Sequence, residues 1–123
     1  KHLRINWTEG EKHFRNCLLD FNKANNIAQW QWVAGCGADA APYFRIFNPI
    51  LQGEKFDKEG LYVKKWIPEI SKVPNKLIHK PWEMELKYQH AIKTIIGKDY
   101  PKPIVIHEKA RASALEAFKT LKK

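Results

Sequence analysis

The chain contains the stretch NNIAQWQWVAGCGADAAPYFRIFNPILQGEKFD at residues 25–57, which opens inside a strongly polar helical pattern. We predict this helix over residues 22–33. Gly35 or Gly37 should end it, because glycine readily adopts the left-handed conformation of a helix C-terminus. Neither this stretch nor the chain around it alternates polar and apolar residues for long enough to form a strand.

Helix signals on both sides of this stretch predict an all-α fold of about six helices with irregular connecting loops. The first helix should span about residues 8–20, with Thr8 as its cap and Glu11 reaching back to it. Next we expect an irregular segment over 39–48, a short helix from Asn48-Pro49 to about residue 56, and a helical segment over 62–70 interrupted at Pro68. Beyond it we expect a loop over 74–79, a helix from Pro81 that carries Trp82, Met84 and Leu86, a stiff linker over 100–103, and a last helix over about 107–121.

Composition and charge suit one domain with one modest core in a chain of 123 residues. The 22 Lys and Arg residues against 13 Asp and Glu residues give a net charge of +9, which attracts phosphate backbones or anionic membranes. A basic domain without a nucleic-acid role could carry the same charge, so the net charge alone does not decide whether the chain binds nucleic acid. The two cysteines lack metal-site spacing, and no membrane-length apolar run or signal peptide occurs, which predicts a reduced cytoplasmic protein. Because the chain opens on Lys1 without a methionine, we expect this N-terminus to be a cut.

The polar helix separates two tryptophans. At about 100° per residue, Trp30 and Trp32 lie roughly 200° apart and must point to opposite sides. Four amides at spacings of three and four should share the face of Trp32: Asn22, Asn25, Asn26 and Gln29. An amide row that ends in an indole suits a planar heteroaromatic ligand, but core packing of both indoles fits the same spacing. We expect Trp66 and Trp82 to be core residues.

Four runs of residues carry a resemblance to a known family: Asn25-Asn26, Trp30-Gln31-Trp32, GADAAPYFRIFNP at 37–49 and QGEKFD at 52–57. In this order they resemble the cryptochrome and DNA photolyase family, most of all its class I cyclobutane pyrimidine dimer photolyases. The similarity extends from His2 almost to the C-terminus and is looser from Pro81 onward. It implies that residues 1–123 are a single fragment, the C-terminal part of the family's helical FAD-binding domain.

The resemblance implies an activity for the whole protein. The family's photolyases repair DNA with blue light, splitting cyclobutane pyrimidine dimers by electron transfer from reduced FAD, a carbon–carbon lyase reaction. An N-terminal domain with a folate or deazaflavin antenna pigment and the first half of the FAD-binding domain would lie outside this chain. Expected partners are DNA containing pyrimidine dimers and that missing half. The fragment alone should be inactive, and apolar surface exposed where the missing half docks could drive self-association.

Five residues resemble the family's flavin site. In the family an Asp-x-Asp contacts the flavin ribityl chain and ring; here Asp20 holds the first place and Asn22 the second, which loses a charge. Asn25 falls where photolyases keep an asparagine facing flavin N5, and an amide there tunes the reduced flavin by hydrogen bonding. Trp30 resembles the tryptophan nearest the flavin in the photoreduction chain, and Trp7 resembles its middle member.

Another set of residues resembles the DNA-binding side of the family. Trp32 resembles the indole that packs against the flipped-out dimer, where stacking offsets part of the cost of extruding a base. Arg45, Gln52 and Lys55 lie in the loop and short helix that the family shares. We expect Lys55 to contact a phosphate and Arg45 either to contact DNA or to form a structural ion pair. Asp39 should be structural, as a cap or as the partner of Arg45.

Three other functions stay open beside dimer repair. A cryptochrome would signal light without repairing DNA, but Asn25 and Trp32 favour repair. A photolyase for the (6-4) photoproduct shares the same motifs, and a catalytically silent, basic helical DNA-binding module fits the net charge. Light-dependent repair by the whole protein separates a photolyase from the other two classes, and flavin binding separates a cryptochrome from a silent module.

Overall fold

The computed structural model describes residues 1–38 and 44–121. Over these residues the chain is helical, with an isolated β-bridge between Ile96 and Tyr100 and no β-strand. The helices are α1 (Trp7–Cys17), α2 (Lys23–Ala34), α3 (Pro49–Phe56), α4 (Leu61–Trp66), α5 (Leu86–Ala91) and α6 (His107–Thr120). Single 3-10 turns occupy Pro68–Ile70, Asn75–Leu77 and Pro81–Glu83. The predicted all-α class is confirmed.

The chain divides into two compact units. The first unit combines Lys1–Ile46 with Val105–Lys123, and the second unit is Phe47–Ile104. Helices α1, α2 and α6 belong to the first unit, and α3, α4 and α5 belong to the second.

Helix α1 begins one residue before the predicted cap. The side chain of Asn6, not Thr8, caps the helix by accepting a hydrogen bond of 3.1 Å from the Thr8 backbone N–H. Asparagine is a stronger N-cap than threonine, so it takes this position when both are available. Glu11, predicted to reach back to the cap, is buried instead and is only 4% exposed. The predicted capping box is therefore wrong.

Helix α2 follows the sequence prediction closely. Asn22 caps it, with its Oδ1 atom accepting a hydrogen bond of 3.0 Å from the Asn25 backbone N–H. The helix ends at Gly35, which has a φ of +84° and donates its N–H to the carbonyl groups of Gln31 and Trp32. This left-handed C-cap is the conformation that only glycine adopts without strain.

Helices α1 and α2 pack through an indole that lies directly on a glycine. A Cβ atom built on Gly10 would lie 2.2 to 2.6 Å from three atoms of the Trp30 six-membered ring. One turn further along α1, Phe14 contacts the same indole edge-on, with ring centroids 5.1 Å apart and planes at 79°. The absence of a side chain at Gly10 thus allows the close approach of the two helices.

Helix α6 and the N-terminal segment complete the first unit. Ala114 of α6 is buried, and Phe118 stacks on Phe44 with centroids 4.5 Å apart and planes at 11°. At the start of α6, His107 Nδ1 lies 2.8 Å from His2 Nε2. These contacts hold the residues before α1 against the last helix.

The core of the second unit comes from turns as much as from helices. Four buried side chains form it, namely Ile70, Val73, Ile78 and Met84. The segment predicted to be one helix from Pro81 is a 3-10 turn followed by α5, because Met84 adopts an extended conformation. That conformation lets its side chain enter the core, and burial of the apolar side chain outweighs continuous helix hydrogen bonding.

The predicted burial of the downstream tryptophans is wrong. Trp66 is 62% exposed at the end of α4, and Trp82 is 37% exposed. The core that those indoles were expected to fill is occupied by smaller aliphatic residues and Met84. Helical periodicity identified an apolar position at each site but not which neighbours would cover it.

Candidate functional site

The outer face of α2 carries amides and one indole. Asn22, Asn25 and Gln29 are exposed, and Trp32 beside them is 42% exposed. Trp30 lies on the other side, against α1. The prediction that the two indoles point to opposite sides is confirmed, and it follows from a rotation of about 100° per residue.

The inner face of α2 includes an amide that the sequence placed with the others. Asn26 is 7% exposed, and its Nδ2 atom donates to the Glu11 backbone carbonyl at 2.9 Å and to Glu11 Oε1 at 3.1 Å. Arg15 forms a salt bridge of 2.6 Å with the other carboxylate oxygen of Glu11. Asn26 is therefore about 40° from Trp30 on the face toward α1, and its predicted place on the outer amide face is wrong. Sequence reasoning missed Glu11 as the residue that fixes this amide.

The two indoles predicted to relay electrons border the same space. Trp7 and Trp30 both line a cavity of about 810 Å³ in the first unit. Gly10 lies between them along this wall, one turn after Trp7 on α1 and under the Trp30 ring. The remaining wall is largely apolar and includes Phe44, Ala114 and Phe118.

The residues predicted to contact a flavin lie at the N-terminal end of α2. Asp20 and Asn22 are exposed, as is Asn25 in the first turn. The Oδ1 atom of Asn22 already accepts the capping hydrogen bond, so its role in helix α2 is structural as well. A carboxylate and amides at one exposed helix end supply both acceptors and donors for hydroxyl groups and ring edges.

The residues predicted to contact DNA fall in both units. Gln52 and Lys55 are exposed and lie three residues apart on α3, so they share a face. Asn48 caps α3 with hydrogen bonds of 3.0 and 3.2 Å to the first turn, which confirms the predicted helix start. Arg45 belongs to the first unit, is exposed, and accepts a hydrogen bond from the Lys1 ammonium at its backbone carbonyl. Its predicted partner Asp39 lies outside the described residues.

The inner side of α3 rests on a histidine that no sequence motif indicated. A Cβ atom on Gly53 would lie 2.4 Å from His79 Nδ1, so the imidazole lies directly against the helix backbone. His79 Nε2 is 2.6 Å from the Asp57 carbonyl, and the His79 side chain is 8% exposed. Because a carbonyl oxygen only accepts hydrogen bonds, Nε2 carries the proton and donates it.

The carboxylate of Asp57 caps the next helix. The backbone N–H groups of Tyr62 and Val63 each donate to it at 3.2 Å. Partial burial by itself raises the pKa of this carboxyl, but the hydrogen bonds and the nearby His79 outweigh it and lower the Asp57 pKa below its usual value. Asp57 therefore links α3, the histidine and α4.

A charged cluster covers the same side of α3. Lys80 forms salt bridges with Glu54 of α3 at 3.1 Å and with Glu83 at 3.6 Å. The hydrogen bond to Glu54 and the two negative charges raise the pKa of Lys80 above its ordinary value. Residues 79 and 80 thus contact α3 through an imidazole ring and an ion pair.

None of the helices within residues 1–38 and 44–121 has both the length and the apolar character needed to cross a membrane. Across the same described residues, no group of three or more His, Cys, Asp or Glu side chains is arranged to hold a metal ion.

Comparison with known sequences gives a match along nearly the whole chain. Residues 1–120 match the family described as the FAD binding domain of DNA photolyase. A deoxyribodipyrimidine photo-lyase of Agrobacterium fabrum is 55% identical over 123 residues, which make up 100% of this chain and 26% of that protein. The deoxyribodipyrimidine photo-lyase of Escherichia coli is 48% identical over 123 residues, 100% of this chain and 25% of that protein.

Solved structures give the same result. A bacterial class III photolyase from Agrobacterium tumefaciens matches with a TM-score of 0.92 and 55% identity, covering 99% of this chain and 25% of that one. A cryptochrome from Synechocystis matches with a TM-score of 0.88 and 34% identity, covering 94% of this chain and 24% of that one.

These comparisons confirm the resemblance that the sequence motifs indicated. The class I assignment is not confirmed, since the solved relative at 55% identity is a class III photolyase, and it stays a prediction. The chain spans about a quarter of the length of the relatives it matches. It belongs to the DNA photolyase family, within the part that forms the FAD-binding domain.

Proposed function

We propose that this chain is part of a blue-light-driven DNA repair enzyme that splits cyclobutane pyrimidine dimers by electron transfer from reduced FAD. The observation that carries the proposal is the division of α2 into two faces, one with amides and an exposed Trp32, the other with Trp30 held against α1. A helix of this kind can serve a lesion on one side and an electron relay on the other. Family membership and relatives named deoxyribodipyrimidine photo-lyase support the same reaction.

The N-terminal end of α2 offers hydrogen-bond donors and acceptors that fit a flavin. The carboxylate of Asp20 can accept hydrogen bonds from ribityl hydroxyl groups, and the exposed amide of Asn25 can donate to or accept from a ring edge. Asn22 contributes its amino group, since its oxygen caps the helix. FAD, when bound and reduced, supplies the electron that light transfers to the dimer.

Two asparagines compete for the role of the amide that faces flavin N5. Asn25 is the residue indicated by the family motif, and it is exposed. Asn26 is oriented by two hydrogen bonds to Glu11 and lies on the face of Trp30. The Asn26 amino group already makes two hydrogen bonds to Glu11 and the side chain is only 7% exposed, which favours the exposed amide of Asn25.

The two indoles on the cavity are proposed as the electron relay. Trp30 would pass an electron toward the cofactor, and Trp7 would then refill Trp30. Both line the same cavity, and Gly10 lets the Trp30 ring approach α1 without an intervening side chain. Shielding from water on one face also limits reactions of the oxidised indole with solvent.

DNA contacts are proposed for the outer surfaces. Trp32 would stack on the extruded dimer, which offsets part of the unstacking cost of a few kcal/mol. Lys55 would neutralise a phosphate, and Gln52 on the same face of α3 would hydrogen-bond beside it. Arg45 is proposed as a further DNA contact from the first unit.

The decisive experiment is light-dependent repair of dimer-containing DNA by the whole protein. We expect repair under blue light, none in the dark, and a strong loss on Trp32→Ala. Trp66→Ala serves as the control, because it removes an indole from α4 that is 62% exposed, against 42% for Trp32. A protein that binds FAD but repairs no cyclobutane dimers in light would instead be a cryptochrome-type photoreceptor or a photolyase for the (6-4) photoproduct, and one that binds no FAD would be a silent DNA-binding module.

A second experiment asks how much of the cofactor site this chain carries alone. FAD is titrated into the chain while flavin and tryptophan fluorescence are followed. We expect saturable quenching that weakens on Trp30→Ala. Comparing Asn25→Ala with Asn26→Ala decides between the two candidate amides, because only loss of the contacting amide should weaken binding when both variants remain folded.

A further inference from the structure

The inner side of α3 is held at two points by one imidazole ring. The ring of His79 lies against the Gly53 backbone, where a Cβ atom would approach Nδ1 to 2.4 Å. Its Nε2 atom donates to the Asp57 carbonyl, 2.6 Å away, at the C-terminal end of the helix. Gly53 and Asp57 are one helical turn apart, so the two contacts together restrict both the tilt of α3 and its rotation about its own axis.

The face of α3 away from the histidine carries the proposed DNA contacts. With about 100° per residue, Gln52 and Lys55 lie on average roughly 130° around the helix from Gly53. Both side chains are exposed. If α3 rotates relative to His79, these two side chains therefore move across the surface, while the buried contacts of the unit change little.

We propose that His79 is a positioning residue: it holds α3 in the orientation in which Lys55 and Gln52 contact the DNA backbone. This inference rests on the proposed function, which makes Lys55 a phosphate contact. Gly53 is needed for the same contact, because any side chain at this position would separate α3 from the His79 ring. The salt bridge between Lys80 and Glu54 holds the neighbouring side of the helix and leaves the outer face uncovered.

The test measures how the affinity of the whole protein for a dimer-containing duplex depends on salt concentration. Each phosphate contact releases counterions, so Lys55→Ala should lower the magnitude of the log–log salt slope by about 1. His79→Leu should lower it by a similar amount, and the double variant should show no further loss. His79→Gln keeps a donor for the Asp57 carbonyl and should retain most of the slope.

Two controls separate positioning from loss of folding. His90→Leu removes an exposed histidine from α5 in the same unit and should leave the slope unchanged. Gly53→Ala keeps every hydrogen-bonding group, and alanine favours the helix over glycine. It should nevertheless lower the salt slope like His79→Leu, because the added Cβ displaces the helix from the ring. Gly53→Ala therefore also tests the inference if His79→Leu fails to fold.

The outcomes distinguish the inference from the function on which it rests. If Lys55→Ala leaves the slope unchanged, Lys55 is not a phosphate contact, and that part of the proposed function fails together with the inference. If Lys55→Ala lowers the slope but folded His79→Leu and Gly53→Ala do not, only the positioning role of His79 is overturned. A slope loss in the double variant equal to the sum of the single losses would also overturn it, because the residues would then act independently.

Discussion

Replacing Gly10 by alanine tests whether the close contact between α1 and Trp30 determines how these helices pack. Glycine in the middle of a helix is unfavourable, and alanine at an open site would stabilise α1 by about 0.5–1 kcal/mol. At this site the new Cβ atom would lie 2.2 to 2.6 Å from three ring atoms of Trp30. The indole or the whole of α1 must therefore move.

The magnitude follows from two opposing contributions. Overpacking a close contact costs about 1–3 kcal/mol, which exceeds the gain in helix propensity. We therefore expect Gly10→Ala to lower the free energy of unfolding by about 1–2 kcal/mol once the propensity gain is subtracted. In urea this corresponds to a midpoint about 0.5–1 M lower at an unchanged slope.

A double-mutant cycle identifies the indole as the cause. The three ring atoms that clash belong to the six-membered ring of Trp30, which extends beyond the reach of a phenylalanine ring. In a Trp30→Phe background, Gly10→Ala should therefore be neutral or stabilising. The coupling energy should be about 1–3 kcal/mol, as is found for residues in direct contact.

Urea unfolding followed by far-ultraviolet circular dichroism measures all four proteins of the cycle. Tryptophan fluorescence of Gly10→Ala should also change, because the environment of Trp30 changes. The reasoning is refuted if Gly10→Ala stabilises the chain, or if it destabilises the Trp30→Phe variant as much as the parent. Either result would mean that the contact with the indole does not limit the approach of the helices.

Further predictions concern capping, backbone conformation and the buried amide. Asp57→Asn should be less stable than the parent at pH 7, and the difference should shrink as pH falls below about 4, because the lowered folded-state pKa stabilises only the ionised carboxylate; equal differences at pH 7 and pH 2.5 in urea titrations would contradict this. Gly60→Ala should cost about 2–4 kcal/mol by urea unfolding, since Gly60 has a φ of +66° and a Cβ there would lie 2.7 Å from a buried isoleucine. Asn26→Ala should cost about 1–3 kcal/mol because it removes two buried hydrogen bonds to Glu11, whereas Asn25→Ala on the exposed face should cost much less; similar losses for both asparagines would disprove the buried network.

Local signals predicted the helices well where capping chemistry was unambiguous. Asn48-Pro49 starts α3 and Gly35 ends α2 as predicted, because these residue types satisfy the free backbone groups of a helix end from within a few residues. At α1 both Asn6 and Thr8 could cap the helix, and the stronger capping residue, Asn6, does so. The helix from Pro81 failed because Met84 leaves helical geometry to reach the core.

The candidate site shows the same difference between what local motifs predict and what long-range contacts decide. Trp7 and Trp30 border one cavity and Trp32 is exposed, while the roles that the family motif gives these three residues stay predictions. Family resemblance, however, gave no role to Glu11 and left His79 in an unassigned loop. Their importance comes from contacts across 15 and 22 residues of sequence, to Asn26 and Asp57 respectively.

The sequence by itself determined the helical class, the helix ends fixed by local caps, and membership of the photolyase family. These depend on neighbouring residues or on motifs that can be read in order. No prediction was made for the groups that approach the helix backbone at Gly10 and Gly53. Only the tertiary structure decided which groups these are, an indole at Gly10 and an imidazole at Gly53. The reason is physical: a glycine specifies the space that a partner can enter, whereas the partner is selected by the packing of segments distant in sequence.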